Sequence, residues 1–407
     1  MKALMLIATA GISLILTSLP VTGSDVAQSQ AIRVVAKEHK IVFPDRLIFR
    51  LQAESNKQIT GIEIFYRISG TAVQSYGYPT FSPGTNVMAE FSIKTSGTSY
   101  IPSGVDIDYF YRITDSIGNL LETEQVSIAY RDPKYAWQEL HHGDLVVIWH
   151  DINRKHVEKV VLEAEKQLGQ AKDLFGIDNA TEMKAIIVNN IREAQSTFPF
   201  SSDMARRRHI FGGFAFGKYG LFMIHGINVD TMVHEATHLL LDQAVNSKRT
   251  RIPDWLNEGL AMQFENNSSV HIATISNAVI EDRLLKLKNM GSVPGKPQDI
   301  RIFYAQSWST VDYLIANYGR DRMRSLLTKI NSGERIERAL GLVYGVSIDE
   351  LEVLWREGLS NETTVGPKDY SDDSGVHILV YGVAVLAIVV TTSYGLWKLY
   401  RSFLPSS

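Results

Sequence analysis

The chain has 407 residues, which is enough for two domains, and its 45% content of hydrophobic residues can form a core in each. The formal net charge of −3 at pH 7 provides no electrostatic basis for binding nucleic acid. The absence of cysteine excludes disulfides and thiolate metal ligands. A cysteine-free chain is unusual for a secreted eukaryotic ectodomain, so this composition favours a bacterial or archaeal envelope protein.

The N-terminal residues have the pattern of a secretory signal peptide. Lys2 precedes an apolar stretch at residues 3–19, and small residues follow at 21–24. Cleavage among the small residues would remove residues 1–23, whereas an uncleaved membrane anchor is the alternative.

Residues 31–132 contain short segments in which apolar and polar residues alternate, a pattern typical of half-buried β-strands. These segments lie at residues 47–53, 62–68, 91–95, 107–113 and 126–130. Their number and spacing predict an all-β sandwich that resembles immunoglobulin or fibronectin type III modules, without the cysteine pair of true immunoglobulin domains. We expect a spacer or partner-docking role, although the sequence does not identify the partner.

After Asp132-Pro133 the pattern changes to that of an α+β domain, which we place at residues 144–360. Strands are predicted at 145–149 and 183–188, and helices at 157–171, 275–288, 320–330, 335–342 and 348–357.

Two short strands, at residues 212–217 and 221–224, are predicted to form a hairpin. An extended substrate peptide would add to one of its edges through the main chain near Phe214, Ala215 and Phe216. An ordinary buried hairpin is the alternative.

A metal-binding pattern follows the hairpin. His234, Glu235 and His238 lie in the run H-E-A-T-H, and Glu258 lies 20 residues beyond the second histidine in W-L-N-E-G-L-A. The surrounding apolar residues predict a helix, on which histidines four residues apart share one face and can bind one zinc ion. A second helix, beginning after Pro253, presents Glu258 as the third ligand. The alternative is that these are surface histidines and a solvated carboxylate.

These motifs resemble the gluzincin zinc metallopeptidases, and the N-E-G-L-A run most resembles the bacterial peptidase MA-like family. The resemblance covers about residues 144–360 and is specific at the metal motif. It implies a thermolysin-like fold, zinc held by His234, His238 and Glu258, and Glu235 as the general base. It does not indicate which peptides or proteins are substrates.

Two further residues are candidates for this chemistry. Asp242, one helical turn after His238, could orient a metal-bound imidazole, or it could be a helix-surface carboxylate. Tyr304 begins a predicted amphipathic helix that resembles the segment following the zinc site in peptidase MA-like proteins. On that resemblance Tyr304 is the candidate hydrogen-bond donor to the oxyanion, against the alternative that it is a core aromatic residue like Tyr313.

The C-terminal region resembles a membrane anchor. A polar stalk at 361–375 precedes a 22-residue apolar run at 376–397, which is long enough to cross a bilayer. Lys398 and Arg401 follow the run and predict that the tail, 398–407, is cytoplasmic and the catalytic domain extracytoplasmic.

The sequence therefore predicts a multidomain fold consisting of an all-β sandwich, an α+β thermolysin-like peptidase domain and a C-terminal transmembrane helix. The predicted function is that of a membrane-anchored, extracytoplasmic zinc metallopeptidase that hydrolyses peptides or proteins. The alternatives are a noncatalytic binding or adhesion protein whose sandwich performs the recognition, and an assembly factor that only holds zinc.

Overall fold

A computed structural model describes residues 31–199, 212–266 and 268–362 of the chain. The N-terminal part is built from antiparallel strands. They are β1 (Ile32–Val42), β2 (Arg46–Ile68), β3 (Ser75–Gly77), β4 (Gly84–Lys94), β5 (Asp106–Asp115), β6 (Leu120–Glu122) and β7 (Val126–Ala129).

The long strand β2 joins all seven strands into one hydrogen-bonded sheet. Its first half pairs with β1 and β4, and its second half pairs with β3 and β5. Strands β6 and β7 then pair with β5. Between the two halves the pairing with β4 is irregular from Glu54 to Ile59, which lets the strand change partners.

A second, five-stranded sheet follows, in the order β11-β12-β10-β9-β8. Its strands are β8 (Gln138–His142), β9 (Leu145–Trp149), β10 (Met183–Val188), β11 (Gly213–Phe216) and β12 (Leu221–His225). The three central strands are parallel, whereas β8 and β11 pair antiparallel at the two ends of this order.

Helices lie between and after these strands. They are α1 (Arg154–Phe175), α2 (Ile191–Thr197), α3 (Val229–Ala244), α4 (Asp254–Met262), α5 (Ser269–Ile280), α6 (Pro297–Tyr318), α7 (Arg320–Asn331), α8 (Ile336–Tyr344) and α9 (Ile348–Glu362). Helices α1 and α3 pack against each other and against one face of the second sheet, where Val147, Ala185 and Phe222 belong to the same core as their apolar residues.

The other face of the second sheet is covered by the N-terminal strands. Because successive side chains of a strand point to opposite faces, Val146, Ile148, Ile186, Leu221 and Met223 point away from the helices. These five residues are buried in one hydrophobic core with residues of β1, β2, β4, β5 and β7. The central strands are therefore buried on both faces, which agrees with their nearly continuous apolar sequences.

Close contacts fix this packing. Gly104 has a φ of 97°, and a Cβ placed there would lie 2.3 Å from Cδ1 of Ile186, so only glycine fits between the two sheets. The Lys184 ammonium forms an ion pair with Asp106, and the Tyr100 hydroxyl donates a hydrogen bond to the carbonyl of Thr197 at 2.8 Å.

The predicted fold class is wrong. The strands of residues 31–132 do not form a separate two-sheet sandwich, because they join one sheet that shares its core with the following sheet. The described residues form a mixed sheet and helix fold instead. None of the helices in the described ranges is long and apolar enough to cross a membrane. The predicted signal peptide (1–23) and transmembrane helix (376–397) lie outside these ranges.

Candidate metal centre

Helix α3 presents the two motif histidines. Its N-cap is Asn228, whose side chain accepts a hydrogen bond from the backbone N–H of Thr231 at 3.0 Å. Met232, Val233, Ala236, Leu239 and Leu240 are buried and hold the helix against the core. His234 and His238 lie one turn apart and line the open cleft that separates α3 from α6.

Helix α4 presents Glu258 beside them. The helix begins after Pro253, and the buried side chains of Trp255 and Leu256 anchor its first turn. A Cβ at Gly259 would lie 2.4 Å from the backbone oxygen of Ser307, so this glycine allows α4 to approach α6 closely. The glycine of the N-E-G-L-A run therefore has a packing role next to the candidate ligand.

The three predicted ligands converge. The Nε2 atoms of His234 and His238 are 3.2 Å apart. The Oε2 atom of Glu258 lies 3.3 Å from Nε2 of His234 and 3.6 Å from Nε2 of His238. Two imidazole nitrogens and one carboxylate oxygen therefore surround a single point, as they do in three-ligand zinc sites with an open position.

Hydrogen bonds on the far side of each ring orient the histidines. Nδ1 of His234 lies 2.8 Å from a carboxylate oxygen of Glu265, and Nδ1 of His238 lies 3.1 Å from the amide oxygen of Asn257. Because both oxygens can only accept, each Nδ1 carries a hydrogen, which leaves Nε2 as the ring nitrogen that can bind a metal.

The electrostatics of this cluster suit a cation. Burial disfavours a charged imidazole, yet the carboxylates of Glu258 and Glu265 outweigh it and raise the pKa of His234 well above its ordinary value. Burial likewise opposes ionisation of Glu258, but the two imidazoles lower the pKa of its carboxyl. Oε2 of Glu258 is buried without a hydrogen-bond partner among the described residues. The donor set, its orientation and this orphaned oxygen all fit zinc.

Glu235 lies on the same helix and also lines the cleft. Its side chain is buried and packs against the backbone of Gly213 in β11, where an added Cβ would be 2.7 Å from Cγ of Glu235. Burial raises the pKa of the Glu235 carboxyl; His234 and His238 oppose this rise, and the negative charges of Glu258 and Glu265 add to it. A carboxylate with a raised pKa accepts a proton more readily.

Tyr304 lies two turns into α6 and lines the same cleft. Burial, followed by the negative charges of Glu258 and Glu235, raises the pKa of its phenol. The phenol is therefore a neutral hydrogen-bond donor in this site. The structure brings Tyr304 together with the four motif residues, and its catalytic role stays a prediction.

Asp242 lies in the same cleft, but the ring nitrogens of the histidines are oriented by other residues. A Cβ at Gly217 would overlap Oδ2 of Asp242, so this carboxylate lies against the β11–β12 hairpin. Glu265 and Asn257, which orient the imidazoles, were not among the residues predicted from the sequence. A signal for Asn257 was present, because it directly precedes Glu258 on the same helix.

The predicted hairpin is formed by β11 and β12, and β11 is the last strand of its sheet within the described residues. Gly213, Phe214 and Ala215 of β11 line the cleft, which has a volume of about 1150 Å³. The edge strand thus lies beside the metal centre, while substrate pairing with it stays a prediction.

Residues 164–361 match the family model of the Peptidase MA superfamily. They form a gluzincin-like peptidase domain. The resemblance that the H-E-A-T-H and N-E-G-L-A runs indicated is therefore confirmed. This gluzincin-like domain contains all the candidate site residues, from His234 to Tyr304.

Solved structures give weaker similarities. The M1 zinc metallopeptidase of Deinococcus radiodurans is 11% identical, with a TM-score of 0.35 over 77% of this chain and 90% of that chain. A mutant of that enzyme bound to a Tyr-Ser-Ala substrate is 10% identical, with a TM-score of 0.38 over 76% and 89%. A family 64 β-1,3-glucanase from Paenibacillus barengoltzii is 14% identical, with a TM-score of 0.17 over 28% and 26%. These TM-scores do not establish a common fold, and no curated protein matches the chain.

Proposed function

We propose that the protein is a zinc-dependent metallopeptidase that hydrolyses peptide bonds in a peptide or protein substrate. The main support is the convergence of His234, His238 and Glu258, whose ligand atoms all lie within 4.8 Å of one another. Glu235 and Tyr304 line the same open cleft, so the groups that such hydrolysis requires are within one site.

The chemistry divides among these groups. A zinc ion, when bound to the three ligands, supplies a Lewis acid that polarises a carbonyl and acidifies water. Glu235 accepts the proton of the attacking water, which its raised pKa favours, and passes that proton to the leaving amine. Tyr304 donates its phenolic hydrogen to the oxyanion that develops on the scissile carbonyl. An extended substrate lies along β11, next to these groups.

Two substitutions in the full chain test this proposal. Glu235→Gln should retain zinc, because the ligands are intact, and should lose most peptide hydrolysis with the general base. His238→Ala should lose both zinc and hydrolysis. Zinc is measured by mass spectrometry of the purified protein, and hydrolysis with a peptide library. Equal hydrolysis by Glu235→Gln and the parent would refute the mechanism, whereas a parent that binds zinc and cleaves nothing would favour a noncatalytic role.

We also propose that the domain acts outside the cytoplasm. Lys2 and the apolar stretch at 3–19, which have the pattern of a secretory signal peptide, support export. Alkaline phosphatase joined after Glu362 should be active in a bacterial host, because that enzyme requires disulfides that form outside the cytoplasm. An inactive fusion that accumulates in the cytoplasm would contradict export.

A further inference from the structure

A stripe of polar side chains on α6 leads away from the metal centre. Gln298, Arg301 and Tyr304 are spaced three residues apart, which places them on one face of the helix. All three line the cleft that contains His234, His238 and Glu258. Arg301 is thus one helical turn from the candidate oxyanion donor, about 4.5 Å along the helix axis.

The guanidinium of Arg301 is exposed and has no hydrogen bond or ion pair within the part of the chain that the structure describes. By comparison, Arg283 pairs with Glu281 at 3.2 Å and Arg356 pairs with Glu352 at 3.0 Å. Among the described residues that line the cleft, Arg301 is the only lysine or arginine. Its five N–H donors therefore face solvent in the substrate cleft.

Within the described lining of the cleft, every aspartate, glutamate, lysine or arginine other than Arg301 is acidic. Its other charged lining residues include Asp230, Glu235, Asp242, Glu258 and Glu265. Glu258 and Glu265 face the imidazoles of the metal centre, so their charges are compensated there. The carboxylates of Asp230 and Asp242 remain to repel a substrate with several acidic groups, whereas one carboxylate placed at Arg301 would be attracted. The charge pattern therefore favours a single anionic group at one position rather than acidic peptides in general.

We infer that Arg301 binds a carboxylate of the peptide substrate and determines specificity. The inference rests on the proposed peptidase function and narrows its substrate class. Guanidinium and carboxylate groups pair through two parallel hydrogen bonds, which fixes orientation as well as charge. Two sources share this chemistry, namely the α-carboxylate at the C-terminus of a short peptide and the side chain of an internal aspartate or glutamate.

Matched peptides separate the two sources. A neutral peptide amide is compared with the same peptide bearing a free C-terminal carboxylate, and with amides in which glutamine is replaced by glutamate at each position in turn. The zinc-loaded full chain should prefer one carboxylate-bearing peptide by roughly 10-fold in kcat/KM, mainly through KM. Preference for the free C-terminus identifies the α-carboxylate, and preference at one glutamate position identifies a side chain.

Substitutions then assign the preference to Arg301. Arg301→Gln should abolish the preference and retain cleavage of the neutral amide, because it removes no catalytic group. Arg301→Lys should show a weaker preference than the parent but a stronger one than Arg301→Gln, because lysine keeps the positive charge and lacks the planar guanidinium group. Arg338→Gln is the matched control, since Arg338 is an exposed arginine on α8 that pairs with Glu334 and does not line the cleft. A parent enzyme without any carboxylate preference, or a preference that survives in Arg301→Gln, would overturn the inference.

A binding measurement keeps this result separate from the proposed function. Fluorescently labelled peptide acid and peptide amide are titrated against zinc-loaded Glu235→Gln protein, with and without Arg301→Gln. Tighter binding of the carboxylate peptide that requires Arg301 supports the inference even if no peptide is hydrolysed by the parent. Hydrolysis of neutral peptides together with equal binding of acid and amide would leave the peptidase function intact and overturn the role of Arg301.

Discussion

Gly213 controls the position of the candidate general base without contributing any functional group. It begins strand β11, and its backbone lies directly against the side chain of Glu235. A Cβ at this position would lie 2.7 Å from Cγ and 2.8 Å from Oε1 of Glu235, and 2.7 Å from the backbone oxygen of Met223. Gly213→Ala therefore must move either the carboxylate or the β11–β12 pairing.

The size of the effect follows from these distances. Ordinary contacts of a Cβ begin near 3.4 Å, so Glu235 or β11 must shift by roughly 0.7 Å. A misplacement of about 1 Å in a catalytic group can cost roughly 100-fold in rate, and we expect kcat/KM to fall by roughly 10- to 100-fold. Overpacking should also lower the free energy of unfolding by about 1–3 kcal/mol.

Steady-state kinetics, zinc content and thermal unfolding of the same preparation test this prediction. Zinc should remain bound, because the alanine methyl group contacts Glu235 rather than the three ligands. Gly61→Ala in β2 is the control, since its Cβ would make an ordinary 3.6 Å contact with Thr114. If Gly213→Ala retained the parental kcat/KM, the position of Glu235 against β11 could not be a condition for catalysis.

Three other predictions concern single side chains. Tyr304→Phe should lower kcat by roughly 10- to 1000-fold at unchanged zinc content, whereas Tyr313→Phe on the same helix should leave kcat unchanged. Equal kcat values for Tyr304→Phe and the parent would show that another group is the oxyanion donor. Glu265→Gln should weaken zinc binding by roughly 10- to 100-fold, because it removes the carboxylate that orients His234. Zinc affinity is measured by competition with a chelator, and an unchanged affinity would contradict this role of Glu265. Burial raises the pKa of the Tyr130 phenol to about 12, above its unfolded value of about 10. The buried neutral phenol therefore contributes stability that is fully present below pH about 10 and is lost as the pH rises toward 12. In Tyr130→Phe, the free energy of unfolding should fall less steeply over this pH range.

The metal centre was predictable because its information is local in the sequence. His234 and His238 share a helix face by their spacing alone, and Glu258 follows on the next helix of the same cluster. The groups that orient the imidazoles depend on how helices meet. Glu265 reaches His234 from just beyond the end of α4, a contact that periodicity cannot reveal. From the sequence alone, Asp242, one helical turn after His238, was the candidate for this role, with a helix-surface carboxylate as the alternative.

The strands of residues 31–132 illustrate a different limit. Alternation at Leu47, Phe49 and Leu51 indicates correctly which side chains of β2 are buried. It does not indicate what covers them. Nothing in a period-two pattern shows that β2 continues for 23 residues and changes partners midway, or that its sheet shares a core with β9, β10 and β12.

That shared core connects the N-terminal strands with the β11–β12 hairpin beside the candidate metal centre. The Tyr100 ring lies 6.0 Å from that of Phe216 at the end of β11. A Cβ at Gly70 would lie 2.7 Å from the backbone oxygen of Lys218, in the turn between β11 and β12. The N-terminal part of the chain therefore packs against the β11–β12 hairpin, and β11 of this hairpin places Gly213 against Glu235. Residues far from the metal motif thus help to position Glu235, through packing that runs from the N-terminal strands to the hairpin.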